Sequence, residues 1–228
     1  TDSPIYQVRV KGNFVTAIDG VIPLSLCIAA QERNVARTPG AEIRWGVDVA
    51  RFGDDSTALA KRAGNVQIEP TKEWFGKDLM QTVGLLKMEY DTAKEKPDAI
   101  MVDVIGIGAG VVDRGKEIGL PVVGVNVAES ASADERYARL RDELWFLGRD
   151  WLEQRDCKLA DDDALIGELT TPKYQILSNG KIKVEGKDEM KKRGVSSPNR
   201  ADAWNLTFAR VGFATQWKPI KYDNRGII

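Results

Sequence analysis

Apolar positions are scattered without a clear period over the first 40 residues and then fall into order. Residues 43–50 form an apolar run, residues 51–55 a polar turn, and residues 56–62 a second run. A turn at Ala63, Gly64 and Asn65 leads into residues 66–75, so the pattern predicts three strands in an antiparallel meander. Residues 77–94 switch to helical spacing, with Leu79, Val83, Leu86 and Tyr90 on one face. Residues 97–105 are apolar enough for a central strand, Gly106 to Gly110 opens a helix reaching about residue 118, and residues 121–127 give a fifth strand. A strand–helix–strand unit returning in parallel after hairpins predicts one mixed sheet with helices on its faces.

Beyond this sheet, residues 132–154 predict a long amphipathic helix striped by Tyr137, Leu140, Leu144, Leu147 and Trp151. Residues 161–169 predict a short helix, residues 174–185 a hairpin turned at Asn179-Gly180, and residues 198–211 a closing helix. Ahead of the sheet, residues 7–12 read as a short extended piece and residues 23–37 as a helix with Ser25 as its cap. The division expected is an extension over residues 1–40, packed on a domain over residues 41–215, and a tail over residues 216–228.

Composition narrows the chemistry. The chain has 228 residues, 43% hydrophobic and 29% charged, which suits a globular protein with a sizeable core. Its formal net charge of −1 gives no global attraction to nucleic acid or anionic membrane, although a basic face can hide in a balanced total. There is no histidine, which removes Ser-His-Asp and Cys-His nucleophile systems and HExxH zinc sites. Cys27 and Cys157 form no CxxC pair, so a reducing cytosolic setting is expected. The apolar stretch at residues 21–30 is too short for a membrane span and contains Pro23. A first residue of Thr rather than Met leads us to expect a piece of a longer protein.

Three aspartates stand apart from the general charge. Asp48 interrupts the first apolar strand, Asp103 the fourth, and Asp202 falls in the first turn of the last helix. Taken singly, Asp48 fits a turn-capping or salt-bridged carboxylate as well as a ligand, and Asp202 fits an aspartate favoured by the helix dipole. Should strands one and four be neighbours, all three can meet at one end of the sheet. Without a cation between them, their pKa values would be driven up. Oxygen donors suit Mg²⁺ or Mn²⁺ rather than zinc. Two such ions about 4 Å apart can activate a water and stabilise the leaving oxygen at phosphorus. Asp54 and Asp55 are most simply turn residues, with Asp55 also open as an outer ligand.

Other motifs carry less. Gly106-Ile107-Gly108-Ala109-Gly110 fails the dinucleotide spacing because Val111 stands where the third glycine belongs, so tight turning beside Asp103 is the simpler reading, with amides facing a phosphate as the alternative. Lys187, Lys191, Lys192 and Arg193, with Arg200, form the best local basic cluster. They fit either a solvated charged loop or a rim that contacts DNA phosphates. No Gly-Lys pair is followed by Ser or Thr, so there is no P-loop and no ATPase motif.

Together, residues 46–59, residues 100–111 and residues 197–203 resemble the C-terminal nuclease domain of the large terminase subunit of tailed double-stranded DNA bacteriophages. Residues 3–14 are similar to that family's segment between motor and nuclease, and the likeness runs over roughly residues 3–213. The resemblance implies a ribonuclease H-like α/β fold: a mixed five-stranded sheet, flanking helices and an extra β-hairpin. It implies endonucleolytic cleavage of concatemeric double-stranded DNA during genome packaging, with a pair of Mg²⁺ or Mn²⁺ ions held by Asp48, Asp103 and Asp202. It further implies an ATPase motor in the same full-length chain, portal and small terminase subunit as partners, no membrane, and a location in the host cytoplasm. A Rossmann dehydrogenase is disfavoured by the antiparallel opening meander. A packaging module that docks on DNA or portal without cutting is the alternative, and it requires no metal.

Overall fold

The computed structural model describes residues 20–50, 56–131 and 134–210. The expected extended piece at residues 7–12, the turn aspartates Asp54 and Asp55, and the tail from 216 lie outside the described residues. In chain order the elements are α1 (Leu24–Glu32), β1 (Ile43–Asp48), β2 (Ser56–Ala63), β3 (Val66–Gln67), β4 (Lys72–Phe75), α2 (Leu79–Thr92), β5 (Ala99–Asp103), α3 (Gly108–Glu117), β6 (Val122–Val125), α4 (Leu140–Glu153), α5 (Asp163–Leu169), β7 (Tyr174–Ile176), β8 (Ile182–Val184), α6 (Lys187–Lys192) and α7 (Asn199–Leu206). No helix among them is long and apolar enough to cross a membrane.

The main sheet runs β3-β2-β1-β5-β6, with β4 also paired to β2. β1 pairs antiparallel with β2 and parallel with β5, and β6 adds in parallel. The expected neighbourhood of the first and fourth predicted strands is therefore found. The sheet has six strands, not five, because the run 66–75 divides into β3 and β4. Pro70 lies in the gap, and a proline has no N–H to give to a ladder.

Strand alternation decides which residues face which layer. Ile43, Trp45 and Val47 of β1 and Ile100 and Val102 of β5 pack with Val83 and Leu86 of α2 and Val111 of α3. The opposite face is built from small residues. Ala58 and Ala60 of β2 pack with Trp145 and Trp151 of α4 and with Ala201, Ala203 and Trp204 of α7. Gly46 lets α7 rest almost on the backbone of β1, since a Cβ there would stand 2.0 Å from the Ala203 carbonyl oxygen. α1 joins this core through Leu24, Cys27 and Ala30. Both cysteines are buried and free.

Several predicted boundaries move. α1 starts after Pro23 without a side-chain cap, so Ser25 does not cap it. α4 begins at Leu140 rather than 132, because Asp142 accepts from the Arg139 N–H and closes the first turn there. The residues just before run alongside the hairpin: Ile182 N–H donates to the Arg136 carbonyl and Ala138 N–H to the Ile182 carbonyl. α7 ends at Leu206, where the Thr207 hydroxyl donates back to the Trp204 carbonyl. The charged run at 187–192, read from sequence as a loop, is the helix α6.

The start of α7 is held from α5. Glu168 Oε2 accepts from the Ala201 N–H at 3.1 Å. Burial raises the Glu168 pKa from 4.5 to about 8, against the lowering effect of that N–H and with Glu73 adding to the rise.

Two measurements test this packing. Gly46→Ala should cost roughly 3 kcal/mol by urea unfolding, because both nearest groups across the gap belong to α7 and cannot yield without moving it. Gly84→Ala, with open space at its Cβ on α2, should be neutral or stabilising by about 0.5 kcal/mol. For Glu168 the bound proton favours the folded state. That contribution is full below pH 4.5 and is lost as pH rises through about 8. The wild-type unfolding midpoint, measured relative to Glu168→Gln, should therefore fall across that window. Parallel pH profiles would remove Glu168 from the account.

Candidate functional site

Asp48 ends β1 and Asp103 ends β5. The two strands are parallel neighbours with Val47 opposite Val102, so both carboxylates leave the sheet at the same end. By alternation both fall on the face that α7 covers, with Gly46 and Met101 two positions before them. Asp202 lies in the first turn of α7. The three carboxylates line one cleft of about 590 Å³, together with Arg139, Arg141 and Lys183.

Within that cleft the charges are paired in a definite way. Asp48 is buried, and its Oδ2 accepts from the Lys187 ammonium at 2.8 Å. The same ammonium lies 3.7 Å from Asp202 Oδ2 and donates to Asn199 Oδ1 at 3.1 Å. Asn199 in turn donates to the Ser56 hydroxyl at 3.2 Å. Asp202 Oδ1 accepts from Trp145 Nε1 at 3.1 Å and Arg141 Nε at 3.2 Å. Asp103 Oδ1 accepts from the Ile105 N–H at 3.0 Å.

The ionisation shifts agree on one point. Burial pushes the Asp48 pKa up and Asp202 pushes it further, although Lys187 opposes both. Burial raises Asp103 to about 6, with Asp48 and Asp202 contributing to the rise. Burial works against the Lys187 ammonium, yet Asp48 and Asp202 outweigh it and hold its pKa above the ordinary lysine value. All three groups thus hold their protons more tightly than usual, the acids chiefly through burial and Lys187 through its two acidic neighbours.

Among the described residues no group of three or more Asp, Glu, Cys or His side chains is arranged to hold a metal ion. Two carboxylates, Asp48 and Asp202, instead converge on one cation, the Lys187 ammonium. With Asp103 in the same wall, the donors are all carboxylate oxygens, a set that suits a hard divalent ion. The ammonium occupies the point on which Asp48 and Asp202 converge. Arg141 Nη2 is buried and lies 3.1 Å from Asp202 Oδ1, so the guanidinium is paired with that carboxylate in the wall of the cleft.

The expected basic rim is rearranged. Lys187 points into the cleft and pairs with the acids. Arg200 faces inward, its guanidinium bonded to Glu73 and to the Thr71 carbonyl, so it does not extend a rim. Arg193 is paired with Glu185 at 2.7 Å and donates to the Thr171 carbonyl. Lys191 and Lys192 are exposed in the last turn of α6. Arg139, Arg141 and Lys183 supply cationic lining that sequence reading missed, since the mixed-sign run around them reads as a solvated face.

No family model matches the sequence, and no curated protein does. Solved structures do. A mutant form of the nuclease domain of the large terminase subunit gp2 of bacterial virus Sf6, determined with manganese and beta-thujaplicinol, superposes with a TM-score of 0.70 at 20% identity. The match covers 84% of this chain and 99% of that one. The large terminase nuclease from thermophilic phage G20c with bound magnesium gives a TM-score of 0.62 at 14% identity, over 84% of this chain and 97% of that one. The mixed sheet, its flanking helices and its hairpin thus form the ribonuclease H-like fold of large terminase nuclease domains.

Proposed function

We propose that this domain is a divalent-metal-dependent endonuclease that cuts concatemeric double-stranded DNA during phage genome packaging. The observation that carries the reading is the shared cation: Asp48 and Asp202 converge on one ammonium in a cleft that also contains Asp103. The fold match supports it, because similar folds have been solved with manganese and with magnesium bound.

In this reading Asp48, Asp103 and Asp202 would hold Mg²⁺ or Mn²⁺. The bound ions would lower the pKa of the attacking water and stabilise the departing 3′ oxygen. The chain's own side chains do the rest. Asp48 is anchored at the end of a central strand, so its oxygens are fixed against the incoming phosphodiester. Lys187 holds the acids together in the absence of the ions and must yield its place to them. Arg141, a guanidinium lining the cleft beside Asp202, has the charge to attract a phosphate oxygen. Lys191 and Lys192, exposed near the cleft's edge on α6, fit backbone contacts that carry no sequence information. The partners and setting that accompany such a role are a motor domain in the full-length chain, a portal, a small terminase subunit and the host cytoplasm.

A second reading is a docking module that touches DNA or portal without cutting it. It is favoured by the Lys187 ammonium standing where a metal ion would have to sit, and by the lack of a three-acid group around one point among the described residues. A plasmid-nicking assay separates the two. Cleavage should appear with Mn²⁺ or Mg²⁺ and vanish in EDTA. Asp103→Ala should abolish it, with the circular dichroism spectrum and cooperative melting retained. Nicking that persists in EDTA would defeat the metal-dependent reading, and no nicking with either ion would favour docking.

A further inference from the structure

Asp202 uses its two carboxylate oxygens differently. Oδ1 accepts from Trp145 Nε1 at 3.1 Å and from Arg141 Nε at 3.2 Å, and Arg141 Nη2 adds an ionic contact at 3.1 Å. Oδ2 accepts no hydrogen bond among the described residues and lies 3.7 Å from the Lys187 ammonium. Both donors to Oδ1 come from α4, one turn apart, and neither is free to follow the carboxylate. Trp145 is fully buried in the core, where its indole N–H would lose its acceptor if Oδ1 turned away. Arg141 is itself pinned, with Nη1 donating to the Glu185 carbonyl at 3.0 Å and the guanidinium 5.6 Å from the Trp145 ring centre.

We propose that Trp145 and Arg141 are positioning residues that restrict Asp202 to a single metal-facing oxygen, and that this restriction favours magnesium or manganese over calcium. The inference rests on the metal-dependent reading above and adds the ion selectivity of the same site. Calcium takes six to eight oxygens and readily accepts both oxygens of one carboxylate, whereas magnesium demands a compact octahedral shell. A carboxylate whose second oxygen is held by a buried indole and a pinned guanidinium cannot offer the two-oxygen grip. The latch therefore withholds from calcium a ligand mode that magnesium does not use.

The test is ion competition, read without catalysis. Mn²⁺ is titrated into the 228-residue chain and followed by electron paramagnetic resonance, then displaced by Mg²⁺ or by Ca²⁺. Trp145→Phe keeps the aromatic body and removes the N–H, and Arg141→Lys keeps the charge and removes the fork. In each the ratio of Ca²⁺ to Mg²⁺ affinity should rise by roughly 10-fold. Circular dichroism and cooperative melting certify the fold of each variant, and Arg141→Lys carries the test alone should Trp145→Phe fail to fold. An unchanged ratio in a folded variant overturns the proposal while leaving the nuclease reading intact. A wild-type chain that takes up no Mn²⁺, or an Asp48→Ala chain that takes it up equally well, overturns the metal-dependent reading and the proposal with it.

Discussion

The structure turns on the burial of the Asp48 carboxylate at the end of a central strand. An ionised group taken out of water needs a counter-charge, because the solvation it forfeits is worth several kcal/mol even after the protein relaxes. Lys187 supplies that counter-charge from α6, and Asn199 and Asp202 share the same ammonium from α7. A strand, a short helix after the hairpin and the closing helix are thus joined through one cation. Burial raises the pKa values of Asp48 and Asp103, Asp202 adds to both, and Asp48 and Asp202 together raise that of Lys187. Physical need for charge and the proposed chemistry point to the same spot.

Around this centre the polar contacts are graded by role. Asp142 spends its oxygens on main chain: its Oδ1 accepts from the Val184 N–H and its Oδ2 from the Arg139 N–H, tying the start of α4 to β8. Glu168 and Arg200 steady the opening turn of α7 from below. Asp202 stands between these supporting bonds and the open cleft, with one oxygen committed to each side. Carboxylates of the same type therefore do different work because their donors differ.

Much of the fold was legible in the sequence for definite reasons. Apolar runs at residues 43–50 and 56–62 broken by polar turns, with helical spacing in residues 77–94, made the meander and the parallel return readable, and Asn179-Gly180 marked the hairpin. The misses have equally definite causes. Pro70 divided a predicted strand, and Asp142 started α4 later than its apolar stripe implied, because a local backbone contact outweighed periodicity. In the site, Asp48, Asp103 and Asp202 were findable because each breaks an apolar pattern or opens a helix. Lys187 was recognised only as charge, since its long stem lets the ammonium reach a partner 139 positions away, and no spacing rule encodes that reach. The pairing of Arg200 was hidden for a similar reason: its acidic partners Glu73 and Glu168 come from distant elements that close around it.

The near-contact of Gly46 with the Ala203 carbonyl gives the molecule a fixed ruler. α7 is gauged against main chain, whose dimensions do not change with the amino acids around it, and not against a layer of bulky side chains. The spacing between Asp202 and the end of β1 is thereby set by main chain, while the orientation of the Asp202 carboxylate is left to Trp145 and Arg141.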